Sequence, residues 1–149
     1  MRTVANILQN KPPAFNVIVP EAKVIEALQL MNSVNLSYLV VMQNETFHGL
    51  FSERDYSRNV ILKGLHSDSC MVKEVMSHSI PMVAMQDTVE KCMQLLNTHK
   101  TRYLIAFDDQ EFKGVVTIND ILREAITNKE MIFDELTINE ATEMQDKIY

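Results

Sequence analysis

Slid along itself by 65 residues, the chain aligns 17–58 with 82–123 without a gap, and ten of the 42 pairs are identical. They are Val24/Val89, Gln29/Gln94, Leu30/Leu95, Asn32/Asn97, Tyr38/Tyr103, Leu39/Leu104, Phe47/Phe112, Gly49/Gly114, Asp55/Asp120 and Arg58/Arg123. Other exchanges keep the character of the side chain, as in Val40/Ile105, Leu50/Val115 and Ser52/Thr117. A weaker match precedes the main one. Val4, Ile7 and Leu8 fall on Val72, Val75 and Met76 at an offset of 68, which gives the first copy three extra residues around Pro12-Pro13. Such a period restricts the fold to two copies of one supersecondary unit, and a reading of any element has to hold in both.

Each copy opens on a short apolar run, Val17-Ile18-Val19 or Met82-Val83-Ala84, which predicts a strand. A segment with helical spacing follows, marked by Ala22, Ile25, Leu28 and Met31 in the first copy and Val89, Cys92, Met93 and Leu96 in the second. Asp87 or Thr88 caps the latter. Two further apolar runs come next, Tyr38–Met42 with Phe47–Phe51, and Tyr103–Phe107 with Phe112–Val116. Polar turns at 43–46 and 108–111 join them, so each pair predicts a hairpin. A last helix begins at Ser52 or Thr117, and Gly64 stops the first of these. The unit is therefore β-α-β-β-α.

A three-stranded sheet with helices on one face leaves the other face bare, and two such units packed face to face would cover it. The expected fold class is α/β (α+β), two β-α-β-β-α repeats related by a pseudo-twofold, spanning 1–66 and 67–127, with a helical tail over 128–149. A chain of this length buries roughly 68–70% of its unfolded surface, so it needs no disulfide or metal. Cys70 and Cys92 have no redox or ligand spacing and read as one partly buried and one loop thiol. His48, His66, His78 and His99 are scattered, and no metal site is expected. Of the ten methionines, Met31, Met42, Met82 and Met93 fall at core positions of the repeat, where a soft thioether packs well.

Charge removes several function classes. The net charge is −6, of which residues 128–149 carry most, and no basic cluster suited to nucleic acid or an anionic membrane is present. No apolar run approaches the ~18 residues of a membrane span. The apolar stretch in the first eight residues is too short for a secretory signal, so a cytoplasmic location is expected. No nucleophile–base pair, metal set or phosphate-cradling glycine loop is visible, and the chain has only three glycines. A non-enzyme is expected.

Chemistry concentrates where the last strand of each copy meets its last helix. Ser52-Glu53-Arg54-Asp55 and Thr117-Ile118-Asn119-Asp120 both carry a hydroxyl, two spacers and an aspartate. The hydroxyls suit helix capping; glutamate or glutamine would reach back better than aspartate. An aspartate in this place could instead accept hydrogen bonds from the vicinal hydroxyls of a ribose, as acidic residues do in dinucleotide-binding folds. Arg54 and Arg58, spaced i, i+4, share a helix face.

The paired Gly-apolar-apolar-Ser/Thr-x-x-Asp ends, Gly49 to Asp55 and Gly114 to Asp120, resemble those of tandem cystathionine β-synthase (CBS) domains, the Bateman modules. The resemblance covers about residues 3–127. The stretch from Gly49 to Arg58 with Leu62-Lys63-Gly64, and the lead-in Val72 to Met76, are similar to a stand-alone branch of that family. The resemblance implies a regulatory module binding an adenine nucleotide (AMP, ATP or NAD(H)) in clefts between the repeats. It implies that Thr117 and Asp120 hold the ribose, that Ile80, Pro81 and Met82 line the base, and that Arg102 meets phosphate. Tyr38 and Tyr103 read as core or cleft-edge aromatics. A first-copy site would use Ser52 and Asp55, but Ser37 replaces the arginine there. Arg54 and Arg58 would reach the phosphates across the interface, where guanidinium suits bidentate contact.

The resemblance also implies a homodimer, with the apolar residues of the tail, such as Met131, Phe133 and Leu136, covered by the module or a second subunit. No effector domain is recognisable, so another protein would read the ligand state. A ligand-free interaction scaffold is the alternative.

Overall fold

The structure, a computed structural model, describes residues 2–11 and 16–127. The tail over 128–149 and the Pro12-Pro13 insertion lie outside the described residues. Two three-stranded sheets carry a mixed α+β fold, in two compact units. One groups residues 16–79; the other groups 2–11 with 80–127.

The first-copy unit runs β1 (Val17–Ile18), α2 (Val24–Val34), β2 (Tyr38–Gln43) and β3 (Thr46–Ser52), following the chain's opening helix α1 (Val4–Gln9). Then come α3 (Glu53–Asp55), a π-helical segment (Tyr56–Ile61) and α4 (Val72–Val75). The other unit has β4 (Met82–Ala84), α5 (Val89–His99), β5 (Tyr103–Asp108), β6 (Glu111–Thr117) and α6 (Ile118–Thr127). In both sheets the first strand pairs parallel with the second and the second antiparallel with the third. A parallel pair needs a crossover, which α2 and α5 provide; an antiparallel pair needs only a tight turn. Asn44 and Glu45, at φ 52° and 64°, make the two-residue turn whose twist suits a hairpin. The repeat extends to irregularities: opposite Val41/Met42 the third strand carries one extra residue, His48, and opposite Ala106/Phe107 it carries Lys113, 65 residues on.

Spatial grouping departs from chain order at the lead-in helices. α1 packs Val4 and Ile7 into the core of the second-copy sheet, with Val83, Val89, Leu96, Leu104 and Val116. α4 packs Val72 and Val75 among Val24, Ala27, Leu39, Val41 and Phe51. The opening N–H groups of a helix lack partners inside it, and both lead-in helices obtain them in the same way. Val4 donates to the Asp87 carbonyl and Ala5 to Met85, each at 2.9 Å; Val72 donates to Ala22 at 2.8 Å and Lys73 to Pro20 at 3.0 Å.

The central strands bury three residues in a row, Leu39-Val40-Val41 and Leu104-Ile105-Ala106, as strands covered on both faces do. The stripe read for α5 is the buried one, whereas α2 buries Val24, Ala27 and Met31, with Ile25 and Leu28 only partly covered. Ala22 is buried in the turn before the helix. Two expectations need correction. Met82 is 67% exposed, because the pleat of β4 turns its neighbour Val83 inward. Both cysteines are buried: Cys70 lies against the α4 lead-in and Cys92 on the inner face of α5, where burial pushes its thiol up to about 12.

Gly49 permits a close backbone approach in the first-copy unit. A Cβ there would stand 2.4 Å from the Ser77 carbonyl oxygen, part of a backbone that bridges to Leu50. Gly49→Ala should destabilise the protein by about 1–3 kcal/mol, the usual cost of overpacking; urea unfolding measures it, and an unchanged midpoint would show that the bridge yields freely.

Candidate functional site

The two strand-to-helix junctions are built alike. The Ser52 hydroxyl accepts from the Asp55 N–H at 3.2 Å, while the Ser52 N–H donates to Asp55 Oδ2 at 2.9 Å. Thr117 and Asp120 repeat this at 3.1 and 2.9 Å. Both aspartates thus reach back, contrary to the expectation that their short side chains would leave this task to a longer residue. With the hydroxyl residue extended at the strand's end (φ −124°, ψ 168° for Ser52), the first helical turn brings the third residue close enough for a carboxymethyl group. The helix is tied further to the residue just before the middle strand of each sheet: Ile118 N–H donates to the Arg102 carbonyl at 2.9 Å, and Glu53 N–H to Ser37 at 3.1 Å.

Asp55 and Asp120 are both buried, yet their surroundings differ in charge. Asp55 Oδ2 also accepts from the Ser52 hydroxyl at 3.0 Å, and its Oδ1 from Ser77 Oγ at 2.6 Å. These partners are neutral. Burial raises the Asp55 pKa above its usual 3.8, against the opposing pull of the Ser77 and Ser52 hydrogen bonds and the Arg54 charge. Asp120 instead meets two cations, Lys11 Nζ on Oδ2 at 2.8 Å and Arg123 on Oδ1 at 3.2 Å.

The candidate residues of the second copy converge on one end of its sheet. Tyr103 opens β5 opposite Thr117, which closes β6. Pro81 and Met82 stand at the start of β4, where the Pro81 carbonyl accepts from Ile105 N–H at 3.0 Å. Ile80 and Pro81 are half-buried, and Met82 is exposed. Arg102 is buried, its guanidinium carbon 5.9 Å from the centre of the Tyr103 ring. Thr117 and Asp120 thereby share that end of the sheet with Arg102, Tyr103 and the 80–82 segment. Ser52, Asp55, Arg54 and Arg58 belong to the other unit, where Arg54 is half-buried and Arg58 exposed on the π-helical segment. Sequence reasoning missed Lys11, Ser77 and Arg123. Arg123 was legible as the repeat partner of Arg58; Lys11, 109 residues from Asp120, was marked only by the adjacent insertion.

Among the described residues, no group of three or more His, Cys, Asp or Glu is placed to hold a metal, and no helix is long and apolar enough to cross a membrane.

This doubled sheet-and-helix unit with a capping aspartate in each copy defines a class. The CBS domain profile matches residues 4–61 and 72–127, and the chain belongs to the CBS domain family. It is similar to the mitochondrial CBS domain-containing protein CBSX3 of Arabidopsis thaliana, at 28% identity over 108 residues, covering 69% of this chain and 52% of that protein. The chain thus matches about half the length of that relative. Among solved structures, a CBS-domain protein of Burkholderia ambifaria MC40-6 superposes with a TM-score of 0.79 at 28% identity, covering 89% of this chain and all of the other. CBSX2, solved in complex with AMP, superposes with a TM-score of 0.71 at 26% identity, covering 85% and 98%. Proteins with paired CBS domains are generally regulatory.

The raised Asp55 pKa sets a pH dependence. The folded state holds this proton more tightly than the unfolded state, so stability falls as pH rises from the ordinary carboxyl value of about 3.8 through the folded value. Asp55→Asn keeps an acceptor for Ser52 and a donor for Ser77 without the charge. Its melting temperature should exceed the wild type's at pH 7, the gain vanishing below pH ~4. Equal gains at both pH values would mean that the charge is not the cause.

Proposed function

We propose that this chain is a regulatory module that binds an adenine nucleotide (AMP, ATP or NAD(H)) at the Asp120 end of its second-copy sheet, and that a partner protein reads the bound state. The observation that carries the reading is the gathering of unlike groups there. A buried carboxylate, its partner Thr117, a buried guanidinium at Arg102, and a rim of Ile80, Pro81 and exposed Met82 share one end of the sheet. In this reading Asp120 accepts from the ribose hydroxyls, Thr117 assists, the 80–82 rim covers the base with Tyr103 at its edge, and Arg102 serves the phosphate. Complexation of AMP by CBSX2, a protein of the same fold, supports the ligand class.

The Asp55 junction supports binding less well. Its carboxylate meets the neutral partners Ser52 and Ser77, Ser37 stands where the second copy has Arg102, and the Arg54 charge is the smallest of the influences on its ionisation. Its role in this reading is to start a helix. The protein senses the nucleotide and leaves it unchanged. It acts as a homodimer, within which ligand shifts a conformational balance by no more than its differential affinity for the two states.

Calorimetric titration with AMP, ATP and NADH tests the reading. At least one should bind at micromolar to millimolar concentration and be recovered intact. Hydrogen bonds to a charged acceptor contribute roughly 1.5–3 kcal/mol each, so Asp120→Asn, which keeps the cap, should weaken that ligand about tenfold or more. No heat from any of the three at millimolar concentration would favour a ligand-free scaffold, and unaltered affinity in the variant would remove Asp120 from the site.

A further inference from the structure

The two units solve one local problem in different ways. At the third strand of each sheet an edge carbonyl lies close to the capping aspartate. In the first-copy unit Val40 N–H points to Asn16, so its cross-strand partner Leu50 faces the open edge. Ser77 closes that edge: its N–H donates to the Leu50 carbonyl at 2.8 Å, and its hydroxyl donates to Asp55. In the second-copy unit Ile105 N–H points to Pro81, and Val115 faces the edge in the same way. Here α1 runs on to Gln9, past the residue that matches the end of α4. A side chain replaces the backbone bridge: Lys11 Nζ donates to the Val115 carbonyl and to Asp120 Oδ2, both at 2.8 Å.

A carboxylate offers about four lone-pair positions. On Asp120 the Thr117 N–H and Lys11 take two on Oδ2, and Arg123 takes one on Oδ1. A vicinal diol brings two donors, one more than the remaining place accommodates. The Thr117 N–H is fixed by the helix cap, so the exchangeable donor beside it on Oδ2 is the ammonium. Once displaced, Lys11 leaves two cations, itself and Arg123, beside one carboxylate already committed to the sugar. That excess positive charge favours a ligand carrying negative charge near its ribose.

We propose that Lys11 is a specificity-determining residue of the Asp120 site: an internal counter-ion that a ligand exchanges for its own hydroxyl donors, and whose release selects phosphorylated nucleosides over unphosphorylated ones. This rests on the nucleotide reading given above. It differs from a purely structural role for Lys11, which would weaken all ligands alike or none.

Titration of the full chain with AMP and with adenosine separates the cases, using wild type, Lys11→Met and Lys11→Arg. The wild type should prefer AMP by tenfold or more. In Lys11→Met, adenosine should bind more tightly than to the wild type, and the AMP-to-adenosine preference should shrink at least threefold. Lys11→Arg should keep the preference. A preference unchanged in Lys11→Met, with AMP still bound, would overturn the role of Lys11 and leave the nucleotide reading standing. A wild type that binds neither compound would overturn both.

Discussion

The reciprocal hydrogen bonds between a hydroxyl residue and the aspartate three places on fix the direction in which each last helix leaves its sheet. They satisfy donors at the helix start that would otherwise be buried without partners, at a site shielded from water. They also hold a carboxylate still at the end of the third strand. Replacing such a cap typically costs about 1 kcal/mol, so the motif is justified by folding alone. Its second use depends on what else the carboxylate meets, and there the copies part.

Among the described residues, the groups hydrogen-bonded to the Asp55 carboxylate are neutral, and the ionised form is resisted by burial. Around Asp120 two cations do the same geometric work and supply charge. A buried ion pair contributes little net stability against an apolar equivalent, because desolvation offsets attraction. In the proposal made above, the Lys11–Asp120 pair is one whose members are exchanged on binding. Two copies of one backbone design have thus become a junction with neutral partners and a junction with two cations.

Much of this was readable from residues alone. The 65-residue period placed the strands, the crossover helices, the hairpin turns and both capping hydroxyls, because backbone pairing and core alternation depend on local pattern. The exposure of Met82 was not readable, since a three-residue strand gives the pleat too little sequence to declare its phase. The stripe of α2 was misjudged for a related reason: Ala22 is buried in a turn, so it offered a false start to the helical period. Lys11 and Ser77 were invisible because lead-in segments distant in sequence bring them to the aspartates, and periodicity carries no information about such contacts. The reach of the aspartates into the cap was underestimated because side-chain length was weighed without the extended backbone of the preceding residue.

A crystal structure of the chain grown with AMP gives the most direct test. The account requires the ribose hydroxyls within hydrogen-bonding distance of the Asp120 carboxylate, with Lys11 Nζ withdrawn from Oδ2 and turned to the phosphate. AMP bound elsewhere, with the contact between Lys11 and Asp120 intact, would contradict it.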